Sequence, residues 1–181
     1  MERSETVASG TQRVFFALWP DDSIRSSLAL AARRMHRILH GRRTRDACLH
    51  LTLAFIGDVD IESFGRLRAL PVEILTPGFR LVLDRWDCWP RTGIGWAAPS
   101  RHPEILQRLS ENLDAWLRNG GFPVEQRKFT PHVTLLRDAQ CAAMPEPMVA
   151  VEWRVEELVL VKSELLPKGA HYEIVARWPL N

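Results

Sequence analysis

The sequence predicts a single bilobal α+β domain, and three observations carry that prediction. The chain has 181 residues, 46% of them hydrophobic and 25% charged. That is enough apolar material for a buried core and too much for a disordered chain. A strand, a helix and another strand follow one another in the first half, and the same order returns in the second. The closing strand of each unit carries one tetrapeptide pattern, His50-Leu51-Thr52-Leu53 and His132-Val133-Thr134-Leu135. Outside those strands the halves share little, so the chain reads as a duplicated unit within one domain and not as a repeat array.

Residues 14–18 are an apolar and aromatic run ending at Trp19-Pro20, which gives a first strand closed by a turn. Asp21 or Asp22 then caps a helix whose apolar positions Ile24, Leu28, Ala31, Met35 and Ile38 recur every three or four residues until Gly41 stops it. Residues 49–56 form the next strand, bounded by Gly57-Asp58, and residues 61–70 a second helix. A third strand starts at Gly78 and runs on towards Trp86 or Trp89, and a turn over residues 90–93 leads into a strand over 94–97. Pro103 suits the first turn of another helix, with Leu106, Leu109, Leu113 and Trp116 as its buried stripe and Asn119-Gly120-Gly121 as its end. Pro131 forces Thr130 towards an extended backbone, so His132 opens a strand over 132–136 and does not lie in a helix. Residues 139–150, with Pro145 and Pro147, read as a surface connection. Two last strands, 153–164 and 171–178, close the fold as a hairpin around Pro167 and Gly169.

Composition excludes several classes of function. Residues 1–12 read as a disordered polar leader ahead of a domain over 13–181, and they lack the apolar segment of about 7 to 15 residues that an export signal needs. No apolar run approaches the roughly 18 residues of a membrane helix. Cys48, Cys88 and Cys141 are odd in number and far apart, which predicts neither a disulfide framework nor a zinc knuckle and points to a reducing cytoplasm. Net charge is +2 and the pI about 8.6, short of what a domain needs to grip long nucleic acid through many phosphates. Any anionic partner is therefore held at a few points. Arg33, Arg34, Arg37, Arg42, Arg43 and Arg45 nevertheless crowd one stretch. It reads first as a solvated helix face with its loop and second as a surface attracting a nucleic-acid strand.

Alternate side chains of a strand share a face. Each motif histidine therefore points the same way as its threonine, while Leu51, Leu53, Val133 and Leu135 point into a core. One His-x-Thr says little, but two copies with apolar spacers arise by chance in roughly one chain in several hundred at ordinary residue frequencies. Two imidazoles and two hydroxyls, with no evident nucleophile or metal set, suit in-line displacement at phosphorus. One histidine takes a proton from water while the other protonates the departing oxygen, and imidazole does either job near neutral pH. The threonine hydroxyls donate to the non-bridging oxygens, where negative charge grows. A five-membered cyclic phosphate fits this chemistry, because ring strain and a tethered leaving oxygen reduce the need for a metal. The residues alone leave open which histidine is acid and which is base.

At these residues the sequence resembles the 2H phosphoesterases, and around them the bacterial LigT-like RNA 2′,3′-cyclic phosphodiesterases. The likeness runs through RVFFALWP, HLTLAFIGDV, FTPHVTLLRDA and the closing ELVLVKSEL and HYEIVARWPL. It spans residues 13–178 and is tightest in the two motifs. The resemblance implies two pseudo-symmetric antiparallel sheets with flanking helices around a central cleft. It implies a cytoplasmic monomer without metal, cofactor or membrane contact that opens RNA 3′ ends bearing a 2′,3′-cyclic phosphate to 2′-phosphates. It further implies His50 as proton donor to the 3′-oxygen, His132 as the base that activates water, and Thr52 and Thr134 as phosphate ligands, with Arg137 after the second motif adding a charge-assisted contact. Three alternatives stay open: a related enzyme acting on other cyclic phosphates, an activity joining RNA ends through a 2′,5′ linkage, and a binding module for RNA ends without turnover.

Rival sites are weaker. His36 and His40 stand four apart on the first helix, but no Glu lies between them as in H-E-x-x-H and no third ligand is evident, so they read as a polar helix face. His102 and His171 read as structural or exposed. Trp86, Trp89 and Trp96 read as core or rim packing before base stacking. No glycine-rich phosphate loop and no G-x-S-x-G occur, which argues against P-loop hydrolysis and serine hydrolysis.

Overall fold

A computed structural model describes residues 10–125, 128–142, 146–166 and 169–180. The expected leader lies outside it up to residue 9, as do Pro145 and Pro167. Ten strands and three α-helices follow in the order β1 (Gln12–Leu18), α1 (Asp22–Leu39), β2 (Arg42–Arg43), β3 (Leu51–Val59), α2 (Ile61–Arg68), β4 (Phe79–Leu83), β5 (Arg85–Trp89), β6 (Ile94–Ala98), α3 (Glu104–Asn119), β7 (Val133–Arg137), β8 (Val151–Val155), β9 (Glu157–Leu166) and β10 (Gly169–Pro179). The fold is the expected α+β class with two antiparallel sheets, though the sheets are unequal. Eight strands make one, in the order β10-β9-β1-β3-β7-β6-β5 with β2 on β7, and β4 and β8 make the other.

Helix α1 starts where its sequence can satisfy a free amide. Asp21 accepts from Ile24 N at 2.9 Å, the N-cap bond that offsets a lost helical partner. The buried stripe is Leu28, Ala31, Ala32, Met35 and Leu39, whereas Ile38 is 37% exposed. The expected stripe was one residue out at its end because a 3.6-residue period drifts across five turns. Past the helix, Gly41 has φ +76°, and a Cβ there would meet Arg137 O at 2.6 Å. Only glycine lets the chain pass this close to the end of β7. Helix α3 buries Leu106, Leu109, Leu113 and Leu117. Each of these two helices covers a strand of the other half, α1 lying on β7 and α3 on β3.

Two expected strands are each divided in the structure. Residues 78–89 are β4 and β5, which lie in different sheets, and residues 153–164 are the end of β8 and most of β9, which do likewise. The first break falls at Asp84, whose carboxylate accepts from Ser100 N and Ser100 Oγ, each at 2.7 Å. The second falls at Glu156, whose carbonyl accepts from Leu180 N. Both segments are continuously apolar-rich, so their periodicity carries no mark of the corner.

Strand β1 explains why residues 14–18 show no polar alternation. Val14, Phe16 and Leu18 enter the main core, while Phe15 and Ala17 pack on the opposite face with Val159, Val161, Trp19 and Tyr172. A strand between two sheet neighbours and buried on both faces reads as a continuous apolar run. The face bearing Phe15 is the one that receives the first motif.

The cysteine reading is corrected. Cys88 on β5 and Cys141, four residues past Arg137, form a disulfide with Cα atoms 5.4 Å apart, leaving Cys48 free. Their sequence separation of 53 hid a pair that strand pairing brings together. The segment carrying Cys141 is also held by Ala139 N to Gly93 O at 2.9 Å and Gln140 N to Leu39 O at 2.8 Å.

Candidate active site

Strands β3 and β7 meet through one register pair, Leu51 opposite Val133. Both side chains are fully buried. Extending that antiparallel register by one residue sets His50 across from Thr134 and His132 across from Thr52, all four on the face opposite Leu51 and Val133. Beyond this rung the strands separate, and the gap is the cleft. Strand β3 also skips Leu53 and Ile56 in its pairing with β1, since Ala17 faces Thr52, Phe16 faces Ala54, Phe15 faces Phe55 and Val14 faces Gly57. Bulges of this kind re-aim side chains beside functional clefts, and here they turn the 42%-exposed Phe55 outward.

The two histidines are held alike. His50 Nδ1 lies 2.7 Å from Cys48 O, and His132 Nδ1 lies 2.8 Å from Thr130 O. A carbonyl can only accept, so Nδ1 carries the hydrogen in each ring and Nε2 is left for chemistry. In both cases the carbonyl belongs to the residue two positions earlier. His50 Nε2 lies 3.1 Å from Thr52 Oγ1, so the hydroxyl donates to a neutral His50. If Nε2 gains a proton, that hydroxyl is released to donate elsewhere.

Aromatic rings enclose His50 more fully than His132. Trp19 stacks on His50 at 5.2 Å with only 7° between planes, Phe15 lies at 4.9 Å, and Tyr172 meets the ring edgewise at 5.3 Å. Trp89 packs edge-to-face with His132 at 4.7 Å. Burial therefore pushes His50 down to about 4, with the charges of Arg137 and His132 adding to it and the bond to Cys48 opposing it. Burial also lowers His132, assisted by Arg137 and opposed by the bond to Thr130. Desolvation disfavours the imidazolium in both rings.

His50, Thr52, His132, Thr134 and Arg137 line one cavity of about 340 Å³, together with Arg42, Arg43, Arg45, Phe15 and Tyr172. All five residues singled out from the sequence thus share one concave site, of a size usual for small ligands. Arg137 is exposed and has no ion-pair partner among the described residues. The basic stretch divides: Arg42, Arg43 and Arg45 face this cavity, while Arg33, Arg34 and Arg37 lie on α1. Arg42 pairs with Asp138 at 3.2 Å, Arg43 with Asp46 at 3.7 Å, and Arg45 donates to Ala170 O. A second cavity, of about 810 Å³, shares Thr52, Phe55 and His132 with the first.

The rival histidines stay apart from this site, whereas Trp89 joins it against His132. His36 Nε2 lies 3.1 Å from Gly41 O, and His102 and His171 are exposed. Trp86 is buried and donates to Glu146 O at 2.9 Å. Among the described residues no group of three or more His, Cys, Asp or Glu is placed to hold a metal ion, and no helix is long and apolar enough to cross a membrane. Sequence reasoning missed Phe15, Trp19 and Tyr172, which become neighbours of His50 only through pairing of β1 with β3 and β9 and of β9 with β10. Their one local signal is the unbroken apolar run of β1.

Comparison with known proteins gives a consistent set of relatives. Residues 20–165 match the family described as the 2'-5' RNA ligase superfamily. An RNA 2',3'-cyclic phosphodiesterase of Escherichia coli (strain K12) is 33% identical, covering 96% of this chain and 99% of the relative. One of Thermus thermophilus with the same description is 30% identical, covering 93% and 90%. The crystal structure of E. coli LigT complexed with 3'-AMP superposes with a TM-score of 0.87 at 32% identity, covering 95% of this chain and 99% of that one.

Proposed function

The chain belongs to the 2'-5' RNA ligase superfamily, and from that membership we propose that it is a metal-independent hydrolase opening RNA 2′,3′-cyclic phosphate termini to 2′-phosphates. The observation that carries this reading is the matched pair of imidazoles, each tied at Nδ1 to the carbonyl two residues before it, in a cavity with two threonines and an arginine. A binder of RNA ends needs charge and shape, but not a matched acid and base.

In the proposed reaction the cyclic phosphate sits among Thr52, Thr134 and Arg137, whose hydroxyls and guanidinium face its non-bridging oxygens. His132 Nε2 takes a proton from water as the water oxygen bonds to phosphorus. The bond from phosphorus to the 3′-oxygen breaks on the opposite side, and His50 Nε2–H supplies that oxygen with its proton. The product carries a 2′-phosphate and a free 3′-hydroxyl. His50 suits the acid role because burial makes its imidazolium ready to give up a proton. Once His50 is protonated, Thr52 turns its hydroxyl from Nε2 to the phosphate, which couples protonation to substrate binding.

The catalytic unit in this reading is residues 13–181, a monomer acting in the cytoplasm. A short RNA ending in a 2′,3′-cyclic phosphate, incubated with the protein and compared with authentic 2′- and 3′-phosphate standards, tests it. A 2′-phosphate is expected; an untouched cyclic end, or a 3′-phosphate, overturns it.

A further inference from the structure

Strand β5 ends the eight-stranded sheet and pairs with β6, so one ladder holds it, as at any sheet edge. Its last residue is Trp89, whose ring packs edge-to-face on His132 at 4.7 Å. Alternate side chains of a strand face opposite ways. Trp89 therefore points to the cleft, while Cys88 lies on the core side, 7% exposed. The bond from Cys88 to Cys141 fastens this strand end from behind.

Cys141 belongs to a short segment that touches the site at other points. The segment leaves β7 directly after Arg137, through Asp138 with φ 56°. Asp138 pairs at 3.2 Å with Arg42, which lines the smaller cavity. Ala139 N donates to Gly93 O, at the end of the turn that follows Trp89, and Gln140 N donates to Leu39 O. Trp89 is thus bracketed, since Cys88 before it and Gly93 after it both bind residues 139–141. Without the disulfide, backbone hydrogen bonds hold the segment, and each is much weaker than a covalent tie.

We propose that the Cys88–Cys141 pair is a redox-controlled positioning element for the catalytic base, with Trp89 as the side chain through which it acts on His132. This rests on the role given to His132 under the proposed function. Oxidised, the pair holds Trp89 against the imidazole and keeps the end of β7, with Arg137, in place. Reduced, the end of β5 is released and His132 loses its fixed neighbour. The chemistry is thiol–disulfide exchange with a low-molecular-weight thiol such as glutathione. Cys141 is half-buried and Cys88 buried, so the glutathione thiolate bonds to the Cys141 sulfur. The S–S bond breaks towards Cys88, which leaves as a thiolate and takes a proton. A second glutathione thiolate then bonds to the glutathione sulfur of the mixed disulfide and releases Cys141, which is protonated in turn. Two electrons and two protons pass to the protein, and glutathione disulfide is the oxidised product. The reverse reaction closes the bond. Disulfides in cytoplasmic proteins are commonly transient and redox-sensing, and this one joins two segments that both reach the site.

The test equilibrates the full chain across ratios of glutathione to glutathione disulfide and assays it on a 2′,3′-cyclic mononucleotide, while alkylation and mass spectrometry read the disulfide fraction. kcat/KM is expected to follow that fraction and to fall on reduction, by up to about a hundredfold for a His132 displacement of about 1 Å. The NMR resonance of the His132 ring, displaced by the ring current of Trp89, should move on reduction more than that of His50. Cys88→Ser and Cys141→Ser should each show the reduced behaviour at every ratio, and the wild-type measurements decide the matter even where the buried Cys88 position rejects serine. A chain that stays dithiol throughout, equal kcat/KM in the two states, or a change in kcat/KM without movement of the His132 resonance overturns the proposal. So does a response that persists in Cys141→Ser, which would belong to the free Cys48. A His132 resonance that moves on reduction in a protein hydrolysing in neither state upholds the positioning element and overturns the hydrolase reading.

Discussion

Leu51 faces Val133 in the one rung that ties β3 to β7. Neither residue has any chemistry to offer, yet this contact sets the register of the candidate site. A slip of one residue would turn every side chain of a strand to its other face, sending a histidine and a threonine into the core and two leucines into the cleft. Burial of both side chains resists that slip. An apolar pair thereby holds four polar side chains in their crosswise arrangement.

The histidines are expected to act as a unit. His50→Ala and His132→Ala should each lower turnover about 10²- to 10⁴-fold, and the double variant should lose far less than the product of the two. Thr52→Ala and Thr134→Ala should cost about 1–3 kcal/mol of transition-state stabilisation each. Steady-state kinetics on a cyclic mononucleotide checks this, with circular dichroism to establish folding. A folded His132→Ala protein with near-normal turnover would exclude two-histidine catalysis.

The pH profile should be bell-shaped, because the active form carries one proton on the pair. In the free protein His50 lies at about 4 and His132 is also lowered. The kcat/KM optimum should therefore fall on the acid side of 6.5. A bound phosphate anion favours imidazolium and raises both groups, so the kcat optimum should lie at higher pH than the kcat/KM optimum. Arg137→Ala removes a cation that lowers both histidines and should move the kcat/KM bell upward. Coincident optima in the wild type would count against a buried acid.

Trp19 is expected to control His50 through its parallel stack. Trp19→Leu removes the planar face and admits water, so the acidic limb of the kcat/KM bell should move up in pH and kcat should fall more than KM changes. Trp19→Phe keeps a stacking ring and should restore most of both. If the leucine and phenylalanine variants have the same pH profile, Trp19 is only packing.

Arg42, Arg43 and Arg45 line the smaller cavity at its loop edge. Neutralising all three should weaken action on cyclic-phosphate oligonucleotides more than on a cyclic mononucleotide, and the difference should shrink as salt rises. Equal losses on both substrates would return these arginines to an ordinary solvated surface.

Chelation should leave hydrolysis intact, since the proposed site is built of imidazole, hydroxyl and guanidinium groups. Activity lost in EDTA and restored by one divalent ion would defeat the proposed mechanism.

Much of this architecture was legible before any coordinates. The caps and stripes of α1 and α3 follow from local periodicity, and His50, Thr52, His132 and Thr134 follow from a pattern repeated on two strands. What escaped notice depends on long-range pairing. Tyr172 reaches His50 from β10, two strands beyond β1, and nothing near residue 172 in the chain announces that neighbour. The bond between Cys88 and Cys141 escaped for the same reason, as did the corners at Asp84 and Glu156, where an apolar run continues while the backbone changes sheets. Strand β2 is two exposed arginines, a segment with no hydrophobic signal, ordered by β7 and by the glycine before it.

The position of β1 in the sheet has a consequence for biosynthesis. This strand is made first, but it lies between β3 and β9, pairing Val14 with Lys162 and Ala17 with Val159. A ribosome delivers the chain from its N-terminus, so β1 must wait through nearly the whole of translation for its second neighbour. Tyr172 emerges later still. A nascent chain that has already exposed both histidines, both threonines and Arg137 still lacks the wall that desolvates His50. Truncation before β10 should accordingly yield a polypeptide with every proposed catalytic side chain and no useful turnover.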